Sequence, residues 1–380
     1  MIYLDNAATT LKKPECVREA VYRAMESMGN SGRGAWGPSL LASREIYGVR
    51  EKAAEFFGAW GPEQVAFTQN ATEALNMVIS GLIEKGDHVI TTQADHNSVL
   101  RPLYRKEKEG AELTILKTDE KGNISLEELE ASVRENTKAL ICTHGSNVTG
   151  NLFPIEEMGR ICRRHGILFI LDASQTAGLW PIHMEKQGIH GLCFTGHKGL
   201  MGPQGTGGVC LAPQVKLPPF KVGGSGILSF DRSHPQVMPE ALEAGTLNGH
   251  GIAGLGAAFD YIRQVGLENI RNQEGKLLEV FYRKVKDIPG VKLYGDFSSR
   301  ERLALVSLNI EGYLAKEAGD ILGQEYHIAV RAGAHCAPLM HQALGTGERG
   351  TVRFSFSWFN TVEEAEKAAG AVKEMARQEA

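Results

Sequence analysis

Two short runs place reactive side chains directly after apolar segments. Asp172-Ala173-Ser174-Gln175 follows the five apolar residues Ile167 to Leu171, and Thr195-Gly196-His197-Lys198 follows Gly191 to Phe194. A carboxylate at the end of a buried strand needs a partner, because an unpaired ionised carboxylate is costly to bury. A protonated pyridine-type nitrogen would be one. A lysine in such a place can form a Schiff base if its pKa is lowered and the amine is free. A lone lysine is ordinarily a solvated surface residue; the two runs together put an amine and a carboxylate on one sheet edge. Asn70-Ala71-Thr72-Glu73 stands where a strand gives way to a helix, and helix N-terminal amides attract phosphate, although alone the run reads as an ordinary cap. His96, in Asp95-His96-Asn97, also follows a strand and could stack on a flat heterocycle. Cys336 lies in Arg331-Ala332-Gly333-Ala334-His335-Cys336-Ala337-Pro338. A free cysteine is usually a small buried hydrophobe, and Cys142, Cys162 and Cys210 read that way; a place after a strand and beside His335 sets Cys336 apart.

The elements that must position these groups follow from apolar periodicity. Strands are expected at 65–68, 88–91, 113–116, 139–142, 167–171, 191–195 and 208–211. Helices are expected at 71–83, 125–134 and 155–165, with Ser125 and Glu128 forming a capping box. This alternation argues for an α/β chain with a mostly parallel sheet wrapped by helices, and ligands of such sheets collect at the carboxyl ends of strands. Helices at 249–264 and 267–286 follow. The pattern then changes: strands at 291–294, 303–310, 328–331 and 352–356, separated by helices, and a closing helix at 362–377 suggest a second, smaller α+β domain. The division expected is 15–261 for the large domain, with 1–14 and 262–380 forming the small domain and an N-terminal arm.

Composition narrows the class. Of 380 residues, 42% are apolar and 23% charged, which fits a globular chain large enough for two cores. A net charge of -4 gives no electrostatic case for nucleic acid or an anionic membrane. None of the six cysteines stands in a C-x-x-C pair, so no metal is expected. Met1 to Asn6 lacks the basic and apolar regions of a secretory signal, and no aliphatic run is long enough to span a bilayer. A cytoplasmic chain with reduced thiols is the expectation.

The ordered set of motifs resembles the class V aminotransferase family, of fold-type I pyridoxal-phosphate architecture, and within it the cysteine desulfurases and selenocysteine lyases. The resemblance is carried by Leu4-Asp5-Asn6-Ala7-Ala8-Thr9-Thr10, Asn70-Ala71-Thr72-Glu73-Ala74, Glu243-Ala244-Gly245-Thr246 and the segments around Arg331 and Arg353. It implies a seven-stranded type of sheet and pyridoxal 5'-phosphate as cofactor. Lys198 would carry the cofactor, Asp172 would pair with its ring nitrogen, Gln175 would bond the ring hydroxyl and His96 would stack on the ring. Thr72, the Ala71 amide, Thr195 and His197 would hold the phosphate. Thr246 would reach the phosphate of a neighbouring subunit, which implies a homodimer with shared sites. Arg353 and Asn147 would bind the substrate carboxylate, with Arg331 and Arg33 as further candidates. The segment ending in Cys336 resembles that of the subgroup with a short, ordered nucleophile loop.

The implied reaction converts L-cysteine to L-alanine, leaving sulfur as a persulfide on Cys336 for an acceptor protein. Ala71 stands where the family often has a threonine, and Ala334 where it often has a second histidine. The second difference keeps open a selenocysteine lyase or another C–S lyase. A true class V aminotransferase would not need Cys336. A nucleotide-binding module is a weaker alternative: Gly191 to Gly196 has P-loop spacing, but His197 stands where the lysine should be.

Overall fold

The computed structural model describes residues 1–31 and 36–378, and Arg33 lies outside them. Seven strands form the central sheet, in the spatial order Val65–Thr68, Gly207–Leu211, Gly191–Thr195, Leu168–Asp172, Thr137–Thr143, His88–Thr92 and Glu112–Leu116. Gly207–Leu211 runs antiparallel to both neighbours. Every other pairing is parallel. The four strands Val65–Thr68, Gly207–Leu211, Gly191–Thr195 and His88–Thr92 are buried along their whole length. Continuous apolar runs are what a sheet covered on both faces requires.

The antiparallel return has a local consequence. A parallel neighbour needs a crossover of a dozen or more residues, whereas an antiparallel one can be reached by a short connection. The connection from Thr195 to Gly207 is therefore free of helix, and it carries His197 and Lys198. Gly196 N donates to Thr206 O at 2.8 Å and Gly202 N to Gly196 O at 2.7 Å. A Cβ on Gly196 would lie 2.1 Å from Thr206 Oγ1, so this close turn needs glycine.

A second sheet is wholly antiparallel, in the order Arg331–Gly333, Thr351–Ser355, Leu305–Ile310 and Val291–Tyr294. Leu277, Phe281, Val306, Phe354 and Val372 are buried in its own core, with the Phe281 and Phe354 rings 4.7 Å apart. The single strand expected over 328–331 is two. Ile328–Ala329 pairs in parallel with Ile2–Tyr3, and Arg331–Gly333 joins the four-stranded sheet. The chain changes sheets at Val330, a tertiary event that side-chain alternation does not record. The capping box at Ser125 is half formed. Ser125 Oγ accepts from Glu128 N at 3.1 Å, but its hydroxyl donates to Glu127 rather than the helix receiving Glu128 in return.

One buried ion pair fixes the segment after the Pro/Gly-rich stretch 218–226 to the large sheet. Arg50 Nη1 donates to Glu243 Oε1 at 2.6 Å and to Val65 O at 2.8 Å, while Glu243 Oε1 also accepts from Phe67 N at 2.6 Å. Burial raises the Glu243 pKa, and the Arg50 guanidinium opposes that rise. Removing one partner of a buried pair strands the other charge. Arg50→Met is expected to lower stability by about 3–5 kcal/mol, read as a lower urea midpoint; an unchanged midpoint would show that Glu243 finds another partner.

Candidate active site

The carboxyl ends of four parallel strands and their neighbours enclose a cavity of about 80 Å³. Ala71, Thr72, His96, Asn147, Asp172, Gln175, Thr195, His197 and Lys198, scattered over more than a hundred positions of sequence, all line it. Strand polarity explains the convergence: each group sits just past the end of a buried strand that points the same way.

At one end the helix Ala71–Leu82 opens toward the cavity. Asn70 Oδ1 accepts from Glu73 N at 2.9 Å, and Glu73 Oε2 accepts from Gln69 N at 2.6 Å. This cap consumes the Glu73 amide and leaves those of Ala71 and Thr72 without hydrogen bonds to any described residue. Nearby, Thr195 Oγ1 and His197 Nδ1 are buried with no hydrogen-bond partner among the described residues. Buried polar atoms are rarely left so. Free helix amides and two orphaned polar groups around one small space form a cradle for an anion such as phosphate. Ser98 adds a hydroxyl, 2.8 Å from Thr72 Oγ1 and 2.9 Å from His96 Nδ1. Nothing in its sequence neighbourhood singles out Ser98 except its place in the first turn after His96.

Three charged or basic groups stand further in. Lys198 keeps part of its surface, but that surface faces the enclosed cavity, and burial pushes its pKa down to about 8. At pH 7 the free-amine fraction is about 300-fold larger than for an ordinary lysine. Asp172 is buried, with Oδ1 accepting from Ser174 N at 2.9 Å and from the Ser174 hydroxyl. His96 caps the helix Asn97–Lys108, its Nδ1 accepting from Ser98 N at 3.0 Å. Burial first, then the Lys198 charge, pushes the His96 pKa down to about 4, so the ring is neutral at pH 7 and can lie flat on a heterocycle. Burial likewise pushes His197 down to about 4. The preceding aspartate has a different task. Asp95 is fully buried, accepts from Thr91, Thr92 and Thr143, and ties the ends of two neighbouring strands.

The N-terminal segment braces the residues that line the cavity. Thr10 N donates to His197 O at 3.0 Å, Thr10 Oγ1 to Lys198 O at 3.3 Å, and Gln175 Nε2 to Ala7 O at 3.1 Å. Thus the run Leu4 to Thr10 holds the backbone of the lysine turn and orients Gln175.

Arg353 is 2% exposed. Its Nη1 donates to Asn147 O at 3.0 Å and its Nη2 to Asp5 Oδ1 at 3.0 Å, while Nε has no partner among the described residues. Asn147 turns its own side chain the other way, with Nδ2 donating to His335 O at 2.8 Å. The neighbouring carbonyl, of Cys336, accepts from Asn97 N at 2.7 Å. The cysteine loop is therefore tied to the cavity rim at two adjacent peptides, one beside His96 and one through Asn147. His335 and Cys336 both have left-handed backbone, φ 48° and 56°, an arrangement non-glycine residues adopt only when held. Cys336 is exposed, whereas Cys142, Cys162, Cys193 and Cys210 are buried. Burial raises all four of those thiols, Cys162 to about 12. His335 does not supply a cation beside Cys336: its ring is buried, Nε2 meets Thr351 O at 3.1 Å, and burial holds its pKa well below the ordinary value. Arg331 is half exposed, with Nη1 3.7 Å from Asp5 Oδ2. Thr246 is exposed and lines a different cavity, with Arg50 and Glu243.

Comparison with known proteins shows the family. The family described as aminotransferase class-V covers residues 2–367. A protein of Methanothermobacter thermautotrophicus described as a probable cysteine desulfurase is 36% identical, over 99% of this chain and 94% of its own. The chain belongs to the cysteine desulfurase family of class-V aminotransferases. A cysteine desulfurase of Cronobacter sakazakii is 32% identical over 98% of this chain and 93% of its own. The apo structure of a cysteine desulfurase from Thermococcus onnurineus superposes with a TM-score of 0.93 at 34% identity, covering 99% of this chain and 95% of that one. Enzymes of this family use pyridoxal phosphate, and the mostly parallel sheet with helices is the fold-type I architecture.

The low pKa of Lys198 has a sign that can be measured on the cofactor-free protein. Below pH 8 the amine is charged in both folded and unfolded chains, and the folded chain bears the cost of burying it. Between about 8 and 10.5 the unfolded chain binds more protons, so stability rises with pH. Lys198→Met is therefore expected to stabilise the cofactor-free protein at pH 7 by on the order of 1–3 kcal/mol. The gain should shrink from pH 8 to 10.5 in urea titrations. A gain independent of pH would refute the assignment.

Proposed function

We propose that the protein is a pyridoxal-phosphate-dependent cysteine desulfurase that takes sulfur from L-cysteine onto Cys336 and releases L-alanine. The observation that carries this reading is the cavity in which a water-poor lysine amine, a buried carboxylate, a neutral imidazole and an anion cradle meet beneath an exposed cysteine. The orphaned Thr195 and His197 atoms and the free amides of Ala71 and Thr72 fit the cofactor's phosphate. Asp172 fits its ring nitrogen, Gln175 its hydroxyl, His96 its face and Lys198 its aldehyde.

When bound, the cofactor supplies an electron sink for bonds broken at the amino acid's carbon atoms. The protein supplies the rest. The unpaired Nε of Arg353 offers a donor for the substrate carboxylate, in a buried place where a charge-assisted bond is strong. With cofactor and substrate bound, the Lys198 amine would be a base of suitable strength to take the α proton. The thiolate of Cys336 attacks the sulfur of the substrate. An S–S bond forms, the C–S bond breaks, and the β-carbon takes the electron pair and a proton to become the methyl group of alanine. Cys336 is left as a persulfide. Its exposure suits delivery of that sulfur to an acceptor protein, and the two backbone ties at His335 and Cys336 keep the loop short and placed.

We also propose a homodimer with shared sites. Phe220, Val222, Ile227, Leu228, Phe230 and Val237 are exposed along one segment, an apolar display that suits a subunit contact. Thr246, turned away from its own cavity, would complete the phosphate cradle of the partner. The division into a large domain over 15–261 and a small one from 1–14 and 262–380 is proposed with it; Leu277, Phe281, Val306, Phe354 and Val372 form a core of their own, while Ile270, Tyr294, Met340 and Leu344 pack into the core of the large sheet. A cytoplasmic setting keeps the thiols reduced.

The test is chemical. The purified protein with pyridoxal phosphate and L-cysteine should form alanine, not pyruvate. Cys336→Ala should lose alanine formation while retaining the cofactor's visible absorption; undiminished alanine formation would end the sulfur assignment. Lys198→Ala should fail to retain cofactor after borohydride treatment and denaturation. Turnover of selenocysteine far above that of cysteine would assign the site to a selenocysteine lyase instead.

A further inference from the structure

Asp5 places a carboxylate on the guanidinium groups proposed to receive the carboxylate of the substrate. Its Oδ1 lies 3.0 Å from Arg353 Nη2 and its Oδ2 lies 3.7 Å from Arg331 Nη1. We infer that Asp5 is a built-in competitor for the α-carboxylate of the amino-acid substrate and product, and so sets the affinity of the site for both. The inference rests on the reading of Arg353 as the carboxylate-binding arginine.

Three observations carry it. Arg353 is almost fully buried, and Asp5 is the only carboxylate paired with it among the described residues. The counter-charge of a buried guanidinium is strongly attracted, so a second carboxylate must share it or displace the first. The backbone of Asp5 cannot retreat. Ser355 N donates to Leu4 O at 2.7 Å, Leu4 N donates to Ala329 O at 2.8 Å, and Ala8 N donates to Asp5 O at 3.1 Å. A parallel bridge also links Asp5 to Ser355. The carboxylate can turn on its side-chain bonds but stays within reach of both arginines. Finally, the charges count to one. Two guanidiniums against one carboxylate leave a single net positive charge, enough for one amino-acid carboxylate held in competition with Asp5. That balance keeps binding of L-alanine weak enough for the product to leave.

The sign of the effect separates competition from support. If Asp5 only steadied Arg353, removing its charge would weaken carboxylate binding. As a competitor, its removal tightens binding. Asparagine at this position has nearly the same shape and still offers an oxygen to Arg353 Nη2, but it carries no charge.

The experiment titrates cofactor-loaded protein with L-alanine by calorimetry and repeats the measurement as competitive inhibition of L-cysteine turnover. Asp5→Asn is expected to lower the Kd and the inhibition constant for L-alanine about tenfold, with a lower KM for L-cysteine and a lower kcat where product release limits turnover. An unchanged or raised Kd overturns the proposal. Should Asp5→Asn fail to fold, Asp5→Ser serves with the same expected direction. Arg353→Gln is measured beside them and should weaken L-alanine binding at least about tenfold. If Arg353→Gln binds L-alanine as the unaltered protein does, the reading of Arg353 fails. If Arg353→Gln weakens binding and Asp5→Asn leaves it unchanged, the competitor fails alone.

Discussion

The Lys198 amine is often free of its proton near neutral pH only while it is short of water, and much of the surrounding architecture keeps it so. The amine sits in a connection between two antiparallel interior strands, both buried along their length. That connection needs no helix because the return is antiparallel, and it is held by Thr10, whose backbone and hydroxyl bond the carbonyls of His197 and Lys198. Desolvation lowers the pKa; Asp172, across the same cavity, pulls it back. The balance leaves an amine often free of its proton and a buried carboxylate that lines the same cavity. The cost of burying that amine is borne by the folded state, an instance of local instability located where chemistry needs it.

The second constraint is on the cysteine. The thiol proposed to carry sulfur, Cys336, is exposed, unlike Cys142, Cys162, Cys193 and Cys210, whose thiols burial raises. Its loop has two consecutive left-handed residues whose carbonyls are each held, one by Asn147 and one by Asn97. Asn147 links the parts of the site. Its carbonyl takes a bond from Arg353, its amide gives one to the cysteine loop, and it lines the cofactor cavity. Asn147 thus stands between Arg353 and the peptide that joins His335 to Cys336.

The two sheets meet at these groups. Arg353 and Arg331 are directly paired neighbours on the antiparallel sheet, whereas Lys198, Asp172 and His96 follow strands of the central one. Asp5 belongs to neither; it is carried in by the two-residue strand Ile2–Tyr3. The site thus draws on three parts of the chain, and backbone bonds from Leu4 to Ala329 and Ser355 tie the N-terminal part to the second sheet.

Much of this was legible in the order of residues. Hydrophobic runs and helix periodicity mark the strands of both sheets and several of the helices, because burial on a face depends on local spacing, but the helices Glu15–Ser27, Gly37–Phe57 and Asn97–Lys108 are not among those expected. The strand ends mark Thr72, His96, Asp172, Gln175, Thr195 and Lys198 as neighbours, because parallel strands share a direction. The short strand at the N-terminus, the break at Val330 and the half-formed cap at Ser125 escape such reading, since each depends on what a distant segment offers. Asp5 and Arg353 are 348 positions apart, and Asn147 and His335 are 188 apart. Their residue types allow an ion pair and a hydrogen bond with many partners; only the packing of one sheet against the other selects these. Sequence alone determined which groups stand at the ends of strands. Tertiary structure decided which charges are buried, which are shared and which hydrogen-bond donors remain free, because desolvation and pairing are properties of a surrounding volume and not of a neighbour in the chain.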